Sequence, residues 1–242
     1  MADWDSLAGG FDEAFFEDPM YARILETMAM EVSDAGGQRV LDLGCGTGNL
    51  IALLLEKFPG IKIAGVDPSA GMRAVSAERF MAHPNIEITA GDALDIPLPG
   101  GSIDLIVSSL ALHHVSPHLK PFCAKEMARV LVPGGRLIHA DPFCGVPGPS
   151  DNPERWRDII ERLVAKAVYS LEHGAWKMML GELQAIPMVL REEGEYMVTV
   201  EEWEAVLREA GFAEFVVIDL PPLELLKIVD CTLGGHISGS VS

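Results

Sequence analysis

A glycine-rich segment behind a short apolar run offers the clearest chemistry in the sequence. The run from Val40 to Leu43 reads as a strand and continues into Gly44-Cys45-Gly46-Thr47-Gly48, where a helix is expected to begin. Glycines there let the backbone approach a ligand closely, and the first turn of a helix offers unpaired N–H groups. A dinucleotide fingerprint would need Gly or Ala at the next position, which is Asn49. The segment therefore predicts a ligand-binding loop whose spacing differs from that of nicotinamide dinucleotide enzymes.

Two acids end the next two predicted strands. Asp67 ends the second strand, 23 residues after Gly44, and an acid there can bind both hydroxyls of a ribose. Asp92, between Gly91 and Ala93, ends the third strand, where a carboxylate can accept a hydrogen bond from an adenine amino group. The carboxyl ends of parallel strands are where open α/β sheets bind ligands. We therefore expect a nucleoside-containing ligand at this edge.

The elements that position these residues alternate between short apolar runs and helical stretches. The predicted strands cover 40–43, 62–67, 86–89, 103–110 and 136–140. Repeated strand–helix–strand units of this length imply a parallel sheet with right-handed crossovers. A helix over 201–210 then ends at Gly211 and precedes two strands, 215–218 and 225–229, which we expect to be antiparallel. The predicted fold class is α/β, a Rossmann-like open sheet that is mostly parallel with an antiparallel last strand and has helices on both faces.

The stretch between the fifth strand and the last helix does not continue this alternation. A loop rich in Pro and Gly follows Phe143, and an apolar stripe at helical spacing runs from Trp156 to Leu171. We interpret the stretch as a helical cap inserted after strand 5. The predicted divisions are an N-terminal helical lid segment (1–36), an α/β core (37–142 and 200–233), the inserted cap (143–199) and a flexible tail (234–242).

The composition restricts the kinds of molecule that the protein is expected to bind. Acidic residues number 36 and basic residues 18, for a formal net charge of −18, and Lys and Arg are dispersed rather than clustered as phosphate contacts require. The longest uncharged run, Leu105 to Leu119, is shorter than the roughly 20 apolar residues of a bilayer span. The four cysteines lack CxxC spacing, and Met1 to Asp12 carries three acids and no base. We expect a cytoplasmic protein with reduced thiols that binds neither nucleic acid nor membrane.

Five segments in order along the chain form a more specific pattern. They are Leu41–Gly48, Gly65–Ser69, Gly91–Ala93 with Ile96-Pro97, Ile103–His114 and Arg129–Gly135. Together they resemble the motifs of the class I S-adenosylmethionine-dependent methyltransferases of the small-molecule, methyltransferase-domain type. The resemblance covers roughly 38–136 and, more weakly, 201–219. It implies that the cofactor is S-adenosylmethionine, released as S-adenosylhomocysteine after its methyl group has passed to an acceptor.

The resemblance also implies roles for individual residues. Asp42 would hold the glycine loop and assist the cofactor's amino group, and the loop glycines would approach its methionine part. Asp67 would bind the ribose and Asp92 the adenine. Met72 is either a wall of the adenine site or part of the core, and Ser109 would contact the methionine end. The implied cofactor-binding set is Asp42, Gly44, Cys45, Gly46, Asp67, Pro68, Met72, Asp92, Ala93 and Ser109.

A histidine pair, His113 and His114, follows the fourth strand, and Asp141 follows the fifth. In an extended stretch consecutive side chains point in opposite directions, so at most one histidine would face the acceptor. In an extended stretch His114 would lie on the same face as Leu112, beside the cofactor, which favours His114 as a general base. A turn after Leu110 would change which face each side chain occupies. The alternatives are a structural or cofactor-edge role for both histidines and capping of the following loop for Asp141. The candidate catalytic residues are thus His114, His113 and Asp141.

The segments flanking the core are expected to select the acceptor. Both are rich in aromatic and methionine side chains, which either close over a small hydrophobic or planar molecule or pack against the core. These residues are Trp4, Phe11, Phe15, Phe16, Tyr21, Trp156, Tyr169, Trp176, Met178, Met179 and Met188. We predict a small-molecule acceptor and a monomer or homodimer. No metal is predicted, because the fourth strand ends without an acid and Asp151-Asn152 alone is a weak site.

Three other interpretations compete with methyl transfer. An enzyme that binds S-adenosylmethionine for another reaction would use the same cofactor site. A catalytically silent accessory subunit would usually lose the glycine loop or the ribose acid, and both are intact. A short-chain NAD(P)-dependent reductase needs Lys four residues after a Tyr, whereas the three tyrosines are followed at that spacing by Leu25, His173 and Val200.

Overall fold

A seven-stranded sheet organises the computed structural model, which describes residues 5, 8, 12, 13, 15, 17–32 and 38–235. The elements in chain order are α1 (Pro19–Glu31), β1 (Arg39–Leu43), α2 (Asn49–Lys57), β2 (Lys62–Asp67), α3 (Ala70–Arg79), β3 (Ile86–Ala90), β4 (Ile103–Ser109), a 3₁₀ turn (Leu112–His114), α4 (Lys120–Val130), β5 (Leu131–Pro142), α5 (Pro153–Glu172), α6 (Trp176–Arg191), α7 (Val200–Glu209), β6 (Phe212–Asp219) and β7 (Leu226–Leu233). The strand order across the sheet is β3-β2-β1-β4-β5-β7-β6.

Parallel pairing joins the first five strands. Within this group β1 pairs with both β2 and β4, with Val40 opposite Ile63 on one side and Leu105 on the other. The last strand, β7, pairs antiparallel with β5 and with β6, so it is the reversed strand of the sheet. The predicted Rossmann-like sheet, mostly parallel with an antiparallel last strand, is confirmed. This arrangement brings the carboxyl ends of β1, β2, β4 and β5 to one edge.

Helices cover both faces because the central strands are apolar on both. Val40 and Leu105 pack with α1, α2, α5 and α6 on one face of the sheet. Their chain neighbours Leu41 and Ile106 pack with α4 and α7 on the other face, as the two-residue period of a strand requires. The predicted placement of helices on both faces is therefore confirmed.

The fifth strand is longer than predicted. A turn was expected at Pro133-Gly134-Gly135 ahead of the strand, but β5 already begins at Leu131. The register against β4 shifts at this point and Gly134 has a φ of +79°, so the stretch forms an irregularity within the strand. Asp141, expected just beyond the strand, lies within it and is buried. The strands β6 and β7 also extend beyond their predicted ranges.

Two helices, α5 and α6, occupy the predicted cap. Asn152 caps α5 by accepting a hydrogen bond from the N–H of Glu154. The inner faces of the two helices bury apolar side chains, including Leu163 and Val189, in the same core as α1 and α2. Trp156 and Trp176, which the sequence offers as lining for the acceptor or as packing against the core, are 40% and 53% exposed. Neither ring is a core residue, and their part in acceptor binding stays a prediction.

The predicted lid and tail are described only in part. Most of the tail, 236–242, lies outside the described residues, as do 33–37 and the aromatic residues Trp4, Phe11 and Phe16. Within the described ranges, Asp18 caps α1 by accepting from the N–H of Met20 at 2.9 Å. No helix in these ranges combines the length and apolar character needed to cross a membrane.

The sheet centre should dominate the stability of the fold. Ile106 on β4 is fully buried, so Ile106→Ala should lower the free energy of unfolding by about 2–5 kcal/mol through lost contacts and the cavity left behind. Val216 on β6 is 55% exposed, and Val216→Ala should change the free energy of unfolding by less than about 0.5 kcal/mol. Urea unfolding of both variants measures the difference. Equal losses would contradict the assignment of the core.

Candidate active site

Two glycines of the loop after β1 have different surroundings. Gly44 has a φ of +77°, and a Cβ there would lie 2.3 Å from the Cβ of Ala111 in the segment after β4. Gly46 has a φ of +52°, and a Cβ there would have no heavy atom of the described residues within 4 Å, apart from its chain neighbours. The first glycine therefore permits close packing of the protein against itself. The second borders open space, which a ligand can approach.

Asp67, the predicted ribose acid, holds this loop to the end of β2. Its Oδ2 accepts a hydrogen bond from the N–H of Gly46 at 2.8 Å, and its Oδ1 accepts from the N–H of Ser69 at 2.8 Å. Burial raises the pKa of Asp67 in spite of these two donors. The cap of α3 is Ser69, whose side chain accepts from the N–H of Met72, so Asp67 is not the helix cap. A carboxylate offers about four acceptor positions, which leaves about two for a ligand's hydroxyls.

Asp42 is a buried acid of the site with little compensation from its neighbours. It is 1% exposed, and its Oδ2 has no hydrogen-bond partner among the described residues. Burial, together with the charge of nearby Asp67, raises the pKa of Asp42 to about 8. Ser109, at the end of β4, also has a buried hydroxyl without a partner in the described part of the chain. Unsatisfied buried groups are costly, and they are typical of places that receive a ligand.

The remaining predicted cofactor residues differ in exposure. Cys45 and Met72 are buried, Ala93 is half-buried, and Pro68 and Asp92 are exposed. Asp92 accepts hydrogen bonds from the N–H groups of the residues two and three positions on, at 2.7 and 3.1 Å. Its carboxylate therefore shapes the turn after β3, at the far end of the crevice from Ser109.

Two acids of the N-terminal segment contact the crevice, and nothing in the sequence singles them out. Asp5 accepts hydrogen bonds from Ser69 Oγ at 2.6 Å and from the N–H of Gly71 at 2.8 Å. Asp12 accepts from Thr47 Oγ1 at 2.6 Å and from Asn49 Nδ2 at 2.9 Å. These two acids thus tie the segment to the start of α3 and to the glycine loop.

The histidine pair lies on the 3₁₀ turn Leu112–His114, so the expected extended stretch is wrong. The turn follows Leu110, whose φ of +52° redirects the chain at the end of β4. In the tight turn the two imidazole rings stand side by side, with centroids 4.0 Å apart. The alternation that favoured His114 over His113 therefore does not apply, and the choice between them remains a prediction.

The three candidate catalytic residues converge with a fourth, Glu195. His113 Nδ1 lies 2.6 Å from Asp141 Oδ1, and His113 Nε2 lies 3.2 Å from Glu195 Oε2. His114 Nδ1 lies 2.9 Å from the carbonyl oxygen of Gly194 and 3.6 Å from Glu195 Oε1. We refer to His113, His114 and Glu195 as the His–His–Glu cluster. It stands where the chain leaves β4 and where the link between α6 and α7 passes over the sheet edge.

Charges within this cluster separate the two histidines. Burial by itself lowers the pKa of His113, but Asp141 and Glu195 outweigh it and raise the pKa to about 9. Burial and the charge on His113 lower the pKa of His114 to about 4. Burial opposes ionisation of Asp141, yet His113 and His139 hold its pKa well below the usual range. The same surroundings thus shift the pKa values of two adjacent histidines in opposite directions.

No local sequence pattern predicts Glu195 or the residues that pack behind Asp141 as parts of the site. Glu195 belongs to an acidic run that resembles any solvated loop, and only folding brings it to the histidines. Behind Asp141, the Nε1–H of Trp203 donates to His139 Nε2 at 2.6 Å, and His139 Nδ1 lies 3.6 Å from Asp141 Oδ2. Lys120 is buried alongside, with its Nζ donating to the carbonyl oxygen of Leu112 at 3.0 Å. These buried residues hold Asp141 and the 3₁₀ turn, and thereby the candidate catalytic groups, in place.

Comparison with protein families agrees with this geometry. Residues 40–135 match the family described as "Methyltransferase domain". An uncharacterised methyltransferase of Geobacillus kaustophilus is 35% identical over 169 residues, which cover 69% of this chain and 72% of that protein.

Solved structures share the fold at low sequence identity. A protein of Thermotoga maritima described as a possible histamine N-methyltransferase has a TM-score of 0.63 at 17% identity, covering 95% of this chain and 98% of that one. Geranyl diphosphate C-methyltransferase of Streptomyces coelicolor, solved with Mg²⁺, a geranyl thiolodiphosphate and S-adenosylhomocysteine, has a TM-score of 0.65 at 14% identity, covering 88% and 76%. Taken with the motifs and the geometry of the glycine loop, these relationships establish that the chain belongs to the class I S-adenosylmethionine-dependent methyltransferases.

Proposed function

We propose that this protein binds S-adenosylmethionine in the crevice between the glycine loop, Asp67 and Ser109, and transfers its methyl group to a small-molecule acceptor. The observation on which this proposal rests is the combination of open space at Gly46 with two buried carboxylates, Asp42 and Asp67, at the same sheet edge.

The residues present fit the cofactor. Oδ2 of Asp42 is a buried acceptor without a partner in the described ranges, and a cationic amino group would satisfy it. Asp67 accepts two backbone hydrogen bonds and keeps about two acceptor positions for the ribose hydroxyls. The backbone at Gly46 leaves room for the methionine part, and the loop turns directly into α2, whose first N–H groups favour a carboxylate. Asp92 and Ala93 would line the adenine end.

The sulfonium of the cofactor supplies an activated methyl group, so the protein's contribution is alignment and exclusion of water. Asp42 and Asp67 would fix the orientation of the bound molecule from the β1 and β2 ends. His113, His114 and Asp141 stand at the β4 and β5 ends, next to Ser109, and would position the acceptor in line. The N-terminal segment, anchored through Asp5 and Asp12, would cover the crevice during the reaction.

A small acceptor is most consistent with the negative net charge of the protein and with the segment that lies over the sheet edge. With a net charge of −18, the protein repels polyanions such as RNA and DNA. Over the sheet edge, the link between α6 and α7 lies against the 3₁₀ turn, since the N–H of Tyr196 donates to the carbonyl oxygen of His113 at 3.1 Å. Such close cover favours a molecule that can be enclosed rather than a polymer segment that must pass through.

The role of Gly46 can be separated from backbone strain. Gly46→Ala places a methyl group in the space assigned to the cofactor, and we expect its affinity for S-adenosylmethionine to fall at least tenfold, about 1.4 kcal/mol. Gly134→Ala is the matched control, because Gly134 also has positive φ and open space but lies in the irregular start of β5. Each variant should lose roughly 1–2 kcal/mol of stability from its left-handed backbone. Isothermal titration distinguishes them, and equal affinities would contradict the proposed cofactor position.

The raised pKa of the buried Asp42 predicts a pH dependence of the free energy of unfolding. Its pKa is about 8 in the fold, against about 3.9 in an unfolded chain, so between these values the folded state holds a proton that the unfolded state has lost. This contribution is therefore present at low pH and is lost as the pH rises through 8. Asp42→Asn should gain stability relative to the wild type, on the order of 1–3 kcal/mol, between about pH 5 and about pH 9.

Urea unfolding across this pH range, without cofactor, measures the effect. Asp151→Asn, at an exposed position in the loop before α5, serves as the control and should follow the wild type at every pH. A difference between Asp42→Asn and the wild type that stays constant with pH would contradict the assignment.

The acceptor class can be tested with S-adenosylmethionine labelled in its methyl group. An extract is divided into an ultrafiltrate, a protein fraction and a nucleic-acid fraction, and each is incubated with the enzyme. We expect the label in the ultrafiltrate, and less of it with Gly46→Ala when S-adenosylmethionine is kept below the concentration that saturates the wild type. Label found only in protein or nucleic acid would overturn the small-molecule proposal. Cofactor binding without label in any fraction would favour the non-methylating alternative.

A further inference from the structure

The His–His–Glu cluster gathers three metal-ligating side chains from two distant parts of the chain. One donor atom from each of His113, His114 and Glu195 lies within 4.8 Å of the others. The side chains are 12%, 27% and 16% exposed, so the group is shielded but reachable from solvent. We propose that this cluster binds one divalent transition-metal cation, of the Zn²⁺ or Fe²⁺ class, through two imidazole nitrogens and one carboxylate.

The hydrogen bonds behind His113 select the nitrogen that it presents. Asp141 is a carboxylate, so at 2.6 Å it accepts a hydrogen bond from the Nδ1–H of His113. His139 stands behind the same carboxylate and is itself held by Trp203. A carboxylate that fixes the tautomer of a histidine from behind is the usual support of a metal-ligating imidazole. The Nε2 of His113 is thereby directed at Glu195.

A third donor distinguishes a metal site from a simple proton bridge. Nε2 of His113 and Oε2 of Glu195 face each other at 3.2 Å, and such a pair needs a proton or a cation between its atoms. A proton joins only two atoms. His114 Nδ1 reaches the other oxygen of the same carboxylate at 3.6 Å, although here it donates to the carbonyl oxygen of Gly194. Loss of the proton on that nitrogen would make it the third ligand, as metal binding by histidine requires.

The separations suit a transition metal better than a larger cation. With metal–ligand bonds of about 2.0–2.2 Å, neighbouring ligand atoms in a tetrahedral site are roughly 3.3–3.6 Å apart. His113 Nε2 lies 3.2 Å from one oxygen of Glu195 and His114 Nδ1 lies 3.6 Å from the other, so each imidazole is already near that spacing from the carboxylate. Two nitrogens with one oxygen match the ligand preference of Zn²⁺ and Fe²⁺, whereas Ca²⁺ and Mg²⁺ prefer oxygen alone. Three protein ligands would leave at least one position of a tetrahedral site for water or another ligand.

This proposal departs from the prediction that the protein has no metal site. That prediction rested on the lack of an acid at the end of the fourth strand and on the weakness of Asp151-Asn152 alone, whereas Glu195 lies far from the histidines along the chain. The metal site does not depend on the proposed methyl transfer, since it is defined by ligand atoms and is tested by binding alone.

The test uses the full chain, treated with a chelator, dialysed and then titrated with Co²⁺ or Zn²⁺. We expect one equivalent of Co²⁺ to bind, with the visible absorption of a four- or five-coordinate site, and Zn²⁺ to displace it. All four cysteines are buried, so thiolates should not compete in the folded protein. Glu195→Gln keeps the shape of the side chain and should weaken binding at least tenfold, and His114→Ala should do the same.

Matched controls come from the same region and the same residue types. Glu193→Gln changes an exposed acid two positions before Glu195, and His83→Ala removes an exposed histidine after α3, so both should bind Co²⁺ like the wild type. Circular dichroism without metal verifies that each variant is folded. Absence of stoichiometric binding by the wild type would overturn the proposal and leave a proton as the bridge. Binding that is unchanged in both Glu195→Gln and His114→Ala would also overturn it.

Discussion

The candidate site depends on the close approach of the loop after β1 to the segment after β4. A side chain at Gly44 would put its Cβ 2.3 Å from that of Ala111, so these two backbones can meet only where one residue has no side chain. The N–H groups of Gly44 and Cys45 both donate to the carbonyl oxygen of Val66, at 2.8 and 3.1 Å, and tie the same loop to β2. Three strand ends are thereby fixed around one crevice. The positions of Asp67 on one side and His113 on the other follow from this contact.

Buried carboxylates at this edge are compensated to different degrees, and the differences follow from their neighbours. Asp141 is held as an anion by His113 and His139. Asp67 receives two backbone N–H groups, which leave part of its acceptor capacity available. Asp42 retains a buried oxygen without a partner in the described part of the structure. An unsatisfied buried acid of this kind costs stability, and this cost is typical of sites prepared for a ligand.

The link between α6 and α7 couples the helical insertion to the sheet edge. Its backbone bonds to the 3₁₀ turn through Tyr196 and His113, and the side chain of Glu195 meets both histidines. The insertion is anchored on its other side as well, because the buried Lys166 of α5 pairs with Asp18 at 3.3 Å and with Glu182 of α6. Any change of charge in the His–His–Glu cluster therefore acts on the contact between insertion and core. The charge state of the His–His–Glu cluster and the position of the link between α6 and α7 therefore depend on each other.

The sequence by itself determined the sheet, the glycine loop and the acids at the strand ends. These features are local: an apolar run, a turn and a helix start within a few residues, and their spacing restricts both the backbone and the ligand. It did not determine where β5 begins, because an irregular strand and a turn share the same Pro-Gly-Gly composition. Only the tertiary structure decided that Leu110 turns the chain, that His113 and His114 stand side by side, and that Glu195 meets them. Packing of helices across the sheet brings together side chains about 80 residues apart, and no local pattern records which ones will touch.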